Sequence, residues 1–370
     1  MLLKTLLCIL IGSSALDLSA ENKISKKSPT KAVKKKTVKK PSKKISKETR
    51  LKANIKKLKA LIKKNPRAKK LSIKLGDSYM ALKDYDTAIE VYRSVLTNDD
   101  MESYLKLAKA YRLKKSFLDE IRILNILIPK FPNYPKLYYL QGNAFFAIKK
   151  YEDATLKYRK AISVQPKYKV AYWGLFNSYQ IKKNNYESRI VLSDMIKYFG
   201  EDKKVYSELC RLWTIDDYFE KSLDICQKAV SIDPKNPSNH VYLGQTHKLM
   251  KNKNQAEKIL FNAARMFPKN TFSQEQAGIT MEENENYELA YNYFKQCIKI
   301  DKNQNRCLIG HARSTFQLGK YKESLSSYIA TCKNDRTILP EFKRQGALLR
   351  INRNKGWHEK FSQGVLKCYY

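Results

Sequence analysis

The sequence predicts an all-α fold: a superhelical solenoid of about eight helical hairpins with helical caps at both ends. Three observations predict it. A spacing of 34 residues recurs from residue 101 onward. Glycine and proline are scarce, at 12 and 11 in 370 residues, which disfavours a turn-rich β fold. Hydrophobic residues make up 43% of the chain, enough apolar material for a large folded body.

Residues 1–20 read as a signal peptide. Lys4 gives a positive start, Leu6 to Leu16 an apolar run, and Leu18-Ser19-Ala20 a small-residue cleavage site. The run is too short to span a bilayer comfortably. Export follows, to the periplasm or beyond it as a secreted protein; an uncleaved anchor is the alternative. Cys8 sits inside the apolar run, which argues against a lipid attachment site.

Residues 21–48 form a Lys-rich tail. Between Glu21 and Arg50 there are 13 Lys+Arg and 2 Glu, so this stretch carries +11 of the formal +38 and leaves +27 on residues 51–370. Such a segment cannot bury enough apolar surface to offset its ordering entropy, and disorder is expected. Two readings stay open: a solvated linker, or a tether to an anionic polymer or membrane surface held by counterion release.

The solenoid is expected over 49–370. Leu51, Ile55, Leu58 and Leu61 make an amphipathic capping helix closed by Asn65-Pro66. The third repeat shows the pattern best: Tyr138, Gly142, Phe145, Ala154, Tyr158, Ala161 and Pro166. One period on lie Tyr172, Phe176, Tyr179, Ser188, Leu192 and Met195, and two periods on Tyr206, Cys210, Trp213, Ser222, Cys226, Ala229 and Pro234. The units run at about 69–100, 101–134, 135–168, 169–202, 203–236, 237–270, 271–304 and 305–338, with the first offset by two residues and a hairpin-like C-terminal cap at 339–370. Small residues such as Gly142 and Ala154 let two helices approach, aromatics fill the space around them, and prolines such as Pro166 stop the second helix.

This pattern resembles the tetratricopeptide repeat, which implies a right-handed superhelix whose first helices line the concave face. By that resemblance the groove residues are Tyr139, Asn143, Phe146, Trp173, Asn177, Gln180, Arg211, Gln245 and Lys248, a set suited to an extended peptide or helix. The carboxylate clamp of some members is matched at Asn143 and Lys204 but not at Tyr139, Gly174 and Glu208, so no such clamp is inferred. In an array where only neighbouring hairpins touch, the six cysteines outside the signal can pair as Cys210–Cys226, Cys297–Cys307 and Cys332–Cys368; buried free thiols are the alternative.

No phosphate-cradling glycine loop and no nucleophile with a base is evident, and neither catalysis, a cofactor, a metal nor a small-molecule substrate is expected. His240 and His247 occupy aromatic positions of the pattern and read as core residues. The run Glu282-Glu283-Asn284-Glu285 reads as a solvated turn. The function expected is an exported, non-enzymatic scaffold that binds a protein or peptide in its groove; the alternative is a basic binder of an anionic polymer such as lipopolysaccharide, wall polymer or nucleic acid. N-terminal sequencing of the exported protein is expected to begin near Glu21, whereas a membrane-held chain retaining Met1 would refute cleavage.

Overall fold

The computed structural model describes residues 46–97 and 100–369. The signal-peptide reading and nearly all of the Lys-rich tail therefore lie outside the described residues. The described residues hold nineteen α-helices and no strand. The first, α1 (Lys47–Lys64), precedes nine hairpins. These pair α2 (Lys69–Ala81) with α3 (Tyr85–Arg93), α4 (Met101–Leu113) with α5 (Phe117–Lys130), and α6 (Pro135–Ala147) with α7 (Tyr151–Val164). Next come α8 (Lys169–Ile181) with α9 (Asn185–Phe199), α10 (Lys203–Ile215) with α11 (Phe219–Ile232), and α12 (Pro237–Leu249) with α13 (Lys253–Met266). The last three are α14 (Thr271–Glu283) with α15 (Tyr287–Ile300), α16 (Asn305–Gln317) with α17 (Tyr321–Asn334), and α18 (Leu339–Ile351) with α19 (Lys355–Leu366).

One boundary differs from the sequence reading: the tail is expected to run to residue 48, but the Ser46 hydroxyl accepts the Thr49 N–H at 3.1 Å and starts α1 at Lys47. The hairpin-like cap expected at the C-terminal end is present as α18 and α19.

Each hairpin turns in the same way. In the fourth, the Asn184 N–H donates to the Tyr179 carbonyl at 2.9 Å and the Lys183 N–H to the Gln180 carbonyl at 3.0 Å. This paired 6→1 and 5→2 bonding needs one left-handed residue. That residue is Lys83, Lys115, Lys149, Lys183, Asp217, Lys251, Glu285, Gly319 and Arg353 in the successive hairpins, all at positive φ. Asp84, Asn184 and Asn286, next in line, also cap the following helix with their side chains. One short turn thus closes one helix and opens the next.

Stacking depends on close approach. The Tyr158 ring, 2% exposed, lies between Gly142 of its own hairpin and Gly174 of the next. A Cβ at either glycine would come within 2.7 Å of that ring. Phe294 sits in the same way between Gly278 and Gly310. One turn earlier on the second helices a small residue is fully buried in hairpin after hairpin: Ala88, Ala154, Ser188, Ser222, Ala290 and Ser324. In the second hairpin that slot holds Glu120, fully buried, its carboxylate oxygens without a hydrogen-bond partner and only Arg112 nearby at 3.9 Å.

The structure holds three disulfides. Cys210–Cys226 staples α10 to α11, with Cα atoms 4.7 Å apart. Cys297–Cys307 links α15 to α16 at 6.1 Å, and Cys332–Cys368 ties α17 to the chain end beyond α19 at 5.5 Å.

Two stability effects follow. Gly310→Ala drives a methyl into the buried Phe294 ring and should lower stability by about 1–3 kcal/mol. Gly356→Ala, in α19 with nothing within 4 Å of its would-be Cβ, should be neutral or gain a few tenths of a kcal/mol; urea-unfolding midpoints of the two variants compare them directly. The second effect concerns pH. Burial pushes the Glu120 carboxyl up to about 7, against a smaller downward pull from Arg112. The folded state then binds more protons than the unfolded one between about 4.5 and 7, so stability falls as pH rises through that window. Glu120→Gln should raise stability at pH 8 by on the order of 1–3 kcal/mol and flatten the pH profile between pH 5 and 8, as melting curves across that range would register.

Candidate functional site

First helices of successive hairpins touch one another: α6 meets α8, α10 meets α12, α12 meets α14, and α14 meets α16. By the tetratricopeptide resemblance this is the inner side of the superhelix. The nine residues assigned to the groove divide there into two groups.

Five of them come together. Tyr139, Asn143 and Phe146 of α6, with Trp173 and Asn177 of α8, line a single concavity of about 260 Å³, completed by Tyr158, Val170 and Gly174. The aromatic walls are braced by their neighbours. Tyr139 packs edge-on to Tyr168 at 5.8 Å between ring centroids, Phe146 edge-on to Tyr151 at 5.4 Å, and Trp173 edge-on to Phe176 at 5.5 Å. Each is only partly buried, so each rests on the core and offers a face to the concavity. Asn143 has a second duty: its side-chain oxygen accepts the Tyr158 O–H at 2.7 Å, which leaves its amide N–H groups for the groove. Burial pushes the Tyr158 hydroxyl above its ordinary range, so it stays a donor. Asn177 is exposed.

The other four are engaged with neighbouring helices. Arg211 donates to Gln180 at 2.6 Å across α8 and α10, and to Glu208 at 2.8 Å. Gln245 donates to Gln276 at 2.9 Å, and the Lys248 ammonium meets Glu283 at 2.5 Å, both across α12 and α14. Farther on, Arg313 bonds Glu341 through two nitrogens at 2.8 and 2.6 Å, and Tyr328 donates to the same carboxylate at 2.8 Å. From α12 onward polar pairs such as these link successive first helices; between α6 and α8 lies an open aromatic hollow.

The sequence reading missed part of this site. Tyr158 holds a core position of the pattern, Val170 falls outside the groove register, and Lys204 matches only the carboxylate clamp. Lys204 lies with its ammonium 4.0 Å from the Trp173 ring centroid, a cation–π contact. Tyr158 is legible as a wall only once Gly142 and Gly174 are seen on both its sides.

Two other expectations change. His240 was read as a core histidine, yet it is only partly buried. Its Nε2 donates to the Pro234 carbonyl at 2.8 Å, the bond that Tyr138 and Tyr172 make to Pro132 and Pro166 at 3.0 Å. It replaces a tyrosine hydroxyl by an imidazole N–H. Glu282 does not sit in a solvated turn: desolvation pushes its carboxyl up to about 7, with Arg313 opposing. It lies 3.9 Å from that guanidinium on the inner face.

Residues 55–100 and 73–135 match one tetratricopeptide-repeat family model, and 135–168 and 276–304 match a second. The chain carries tetratricopeptide repeats. No curated protein sequence matches it. Among solved structures, the array is similar to YrrB, described as a tetratricopeptide protein with an unusual peptide-binding site; identity is 19% over 51% of this chain and 97% of that one, with a TM-score of 0.41. It is also similar to the Cut9–Hcn1 hetero-tetramer of the APC/C, at 14% identity over 78% of this chain and 57% of that one, TM-score 0.45. PilF of Pseudomonas aeruginosa gives 14% identity over 62% of this chain and 97% of that one, TM-score 0.45. Tetratricopeptide arrays generally mediate protein–protein contacts as scaffolds and are generally not enzymes.

The double duty of Asn143 is testable. Asn143→Ala strips the acceptor from a buried tyrosine hydroxyl and should lower stability by about 1–3 kcal/mol, while Asn177→Ala, on the exposed side, should change it by less than about 0.5 kcal/mol. Denaturant titration of both variants compares them.

Proposed function

We propose that this protein is an exported scaffold that captures an extended segment of a partner protein on its inner face, centred on the hollow between α6 and α8. The observation that carries the reading is the convergence of Tyr139, Phe146 and Trp173 with Asn143 and Asn177 on one concavity, in a fold whose members generally bind proteins. Large amphipathic aromatics held by packing, beside free amide groups, have the composition of an interface hot spot. The aromatic rings take an apolar side chain, and the asparagine amides reach the backbone of an extended peptide. On α12, α14, α16 and α18 several polar groups are spent on one another, whereas the hollow offers a ligand amide groups beside aromatic rings.

Export supports this reading from another side. Three disulfides fit an oxidising compartment, where such bonds form and persist, and they agree with the signal-like residues 1–20. The tail of residues 21–48 joins as a tether or a spacer for the scaffold.

Trp173→Ala tests the proposal. Screened against an array of synthetic extended peptides, the wild-type chain should bind a subset, and the variant should lose affinity for that subset by about tenfold or more. Its melting temperature should fall by only a few degrees. Equal binding by the variant would refute the site, and a large collapse of the melting temperature would place Trp173 in the core.

A further inference from the structure

The hollow has a charge pattern along the axis of the array that its lining residues alone do not reveal. Lys136, Val170 and Lys204 are each the second residue of a first helix, in α6, α8 and α10. Val170 is exposed and lines the hollow. Lys136 and Lys204 therefore stand one repeat to either side of it at the same register position. Both are exposed, and neither makes an ion pair among the described residues. The acids that flank Lys204 in the sequence are neutralised within the chain: Asp202 meets the Lys169 ammonium at 2.6 Å, and Glu208 accepts from Arg211 at 2.8 Å. An aromatic hollow is thus bracketed by two cations with no carboxylates of their own.

We infer that the hollow takes an acidic extended segment, in which a bulky apolar side chain enters between Tyr139, Phe146 and Trp173 and carboxylates on either side meet Lys136 and Lys204. This deepens the groove reading and rests on it. The spacing follows from the stack. Neighbouring helices lie about 8–10 Å apart, and an extended chain advances about 3.3 Å per residue. One repeat therefore corresponds to about three peptide residues, and the two carboxylates belong about three positions before and after the anchor. Lys204 is held over the face of Trp173, so a carboxylate reaching it lies against the same ring that receives the anchor. Charges at such a rim set association rate and partner choice more than total affinity, while the anchor supplies burial.

A nucleic acid or wall polymer would also be drawn to the two lysines. The observations favour a peptide: a wall polymer has no apolar side group for the hollow, and a single-stranded nucleic acid, whose bases stack on aromatic rings, carries a phosphate at every step although no cation lines the hollow itself.

The experiment uses the full chain and a set of synthetic peptides with a central Leu, Phe or Trp and Asp, Asn or Lys at the third position on each side. Polyglutamate and a single-stranded oligonucleotide serve as unanchored polyanions. The acidic-flanked peptides should bind about tenfold tighter than the neutral ones, and the lysine-flanked ones weaker still. Most of that preference should vanish between 50 mM and 500 mM salt. The double variant Lys136→Glu, Lys204→Glu gives up the exposed Lys204–Trp173 cation–π contact, so its melting temperature should fall by no more than a few degrees, and it should reverse the order, so that lysine-flanked peptides bind best. Binding that needs Trp173 but ignores the flanking charge would keep the groove and overturn the acidic-segment inference. Binding that ignores Trp173 would defeat the groove reading itself. If polyglutamate or the oligonucleotide binds as tightly as the anchored acidic peptide, the inference is likewise overturned and the surface is a polyanion site.

Discussion

Everything in this array depends on how closely one helix can approach the next. Where the ring of Tyr158 lies against the bare backbone of Gly142 and Gly174, three helices from two hairpins share one side chain as their common spacer. Phe294 repeats the device with Gly278 and Gly310. An aromatic seated this way cannot move without opening both a hairpin and a stacking interface, so intra-hairpin and inter-hairpin order are coupled through a single ring. The candidate site draws on the same contact: Tyr158 spaces the helices with its body, supports the hollow with its edge, and orients Asn143 with its hydroxyl.

The inner face is consequently not uniform. Every hairpin offers residues at the same register positions, but the chemistry there changes along the chain. Aromatics and asparagines on α6 and α8 leave an unfilled hollow, whereas charges and amides on α12, α14, α16 and α18 find partners on the next helix. A satisfied ladder of this kind stiffens the second half of the inner surface and offers an incoming peptide little that it does not already use. Selection of a binding position thus arises from what the helices leave unbonded, more than from where they face.

Much of this was legible in the amino-acid sequence. The small–large–small spacing around Gly142, Phe145 and Ala154 sets the register, and prolines such as Pro166 mark the hairpin ends, because steric fit and backbone chemistry are local. The placing of Tyr139, Asn143, Phe146, Trp173 and Asn177 on the groove side rested on register together with the tetratricopeptide resemblance; that these five meet in one hollow while Gln180, Arg211, Gln245 and Lys248 engage neighbouring helices appears only in the structure. What register could not supply was partner identity. The pairings of Gln245 with Gln276 and Lys248 with Glu283 depend on side-chain reach between helices that share no local sequence. The left-handed turn residue was hidden for a different reason: glycine usually announces that conformation, yet the position is filled by Lys, Asp, Glu or Arg in eight hairpins of nine. Glu120 was concealed because it occupies a slot that the pattern reserves for a small residue.

The three disulfides are distributed unevenly. They begin at Cys210, and α1 to α9 carry none. A pull on the two ends of the folded chain would meet a divided spring. The hairpins before residue 203 can peel apart one after another, each releasing its full contour length. Beyond that point the covalent loops at residues 210–226, 297–307 and 332–368 cannot pay out chain. The aromatic hollow lies on helices that no covalent loop closes, as do α12 to α14, so traction that unfolds α6 or α8 would release a captured partner with no disulfide to resist it.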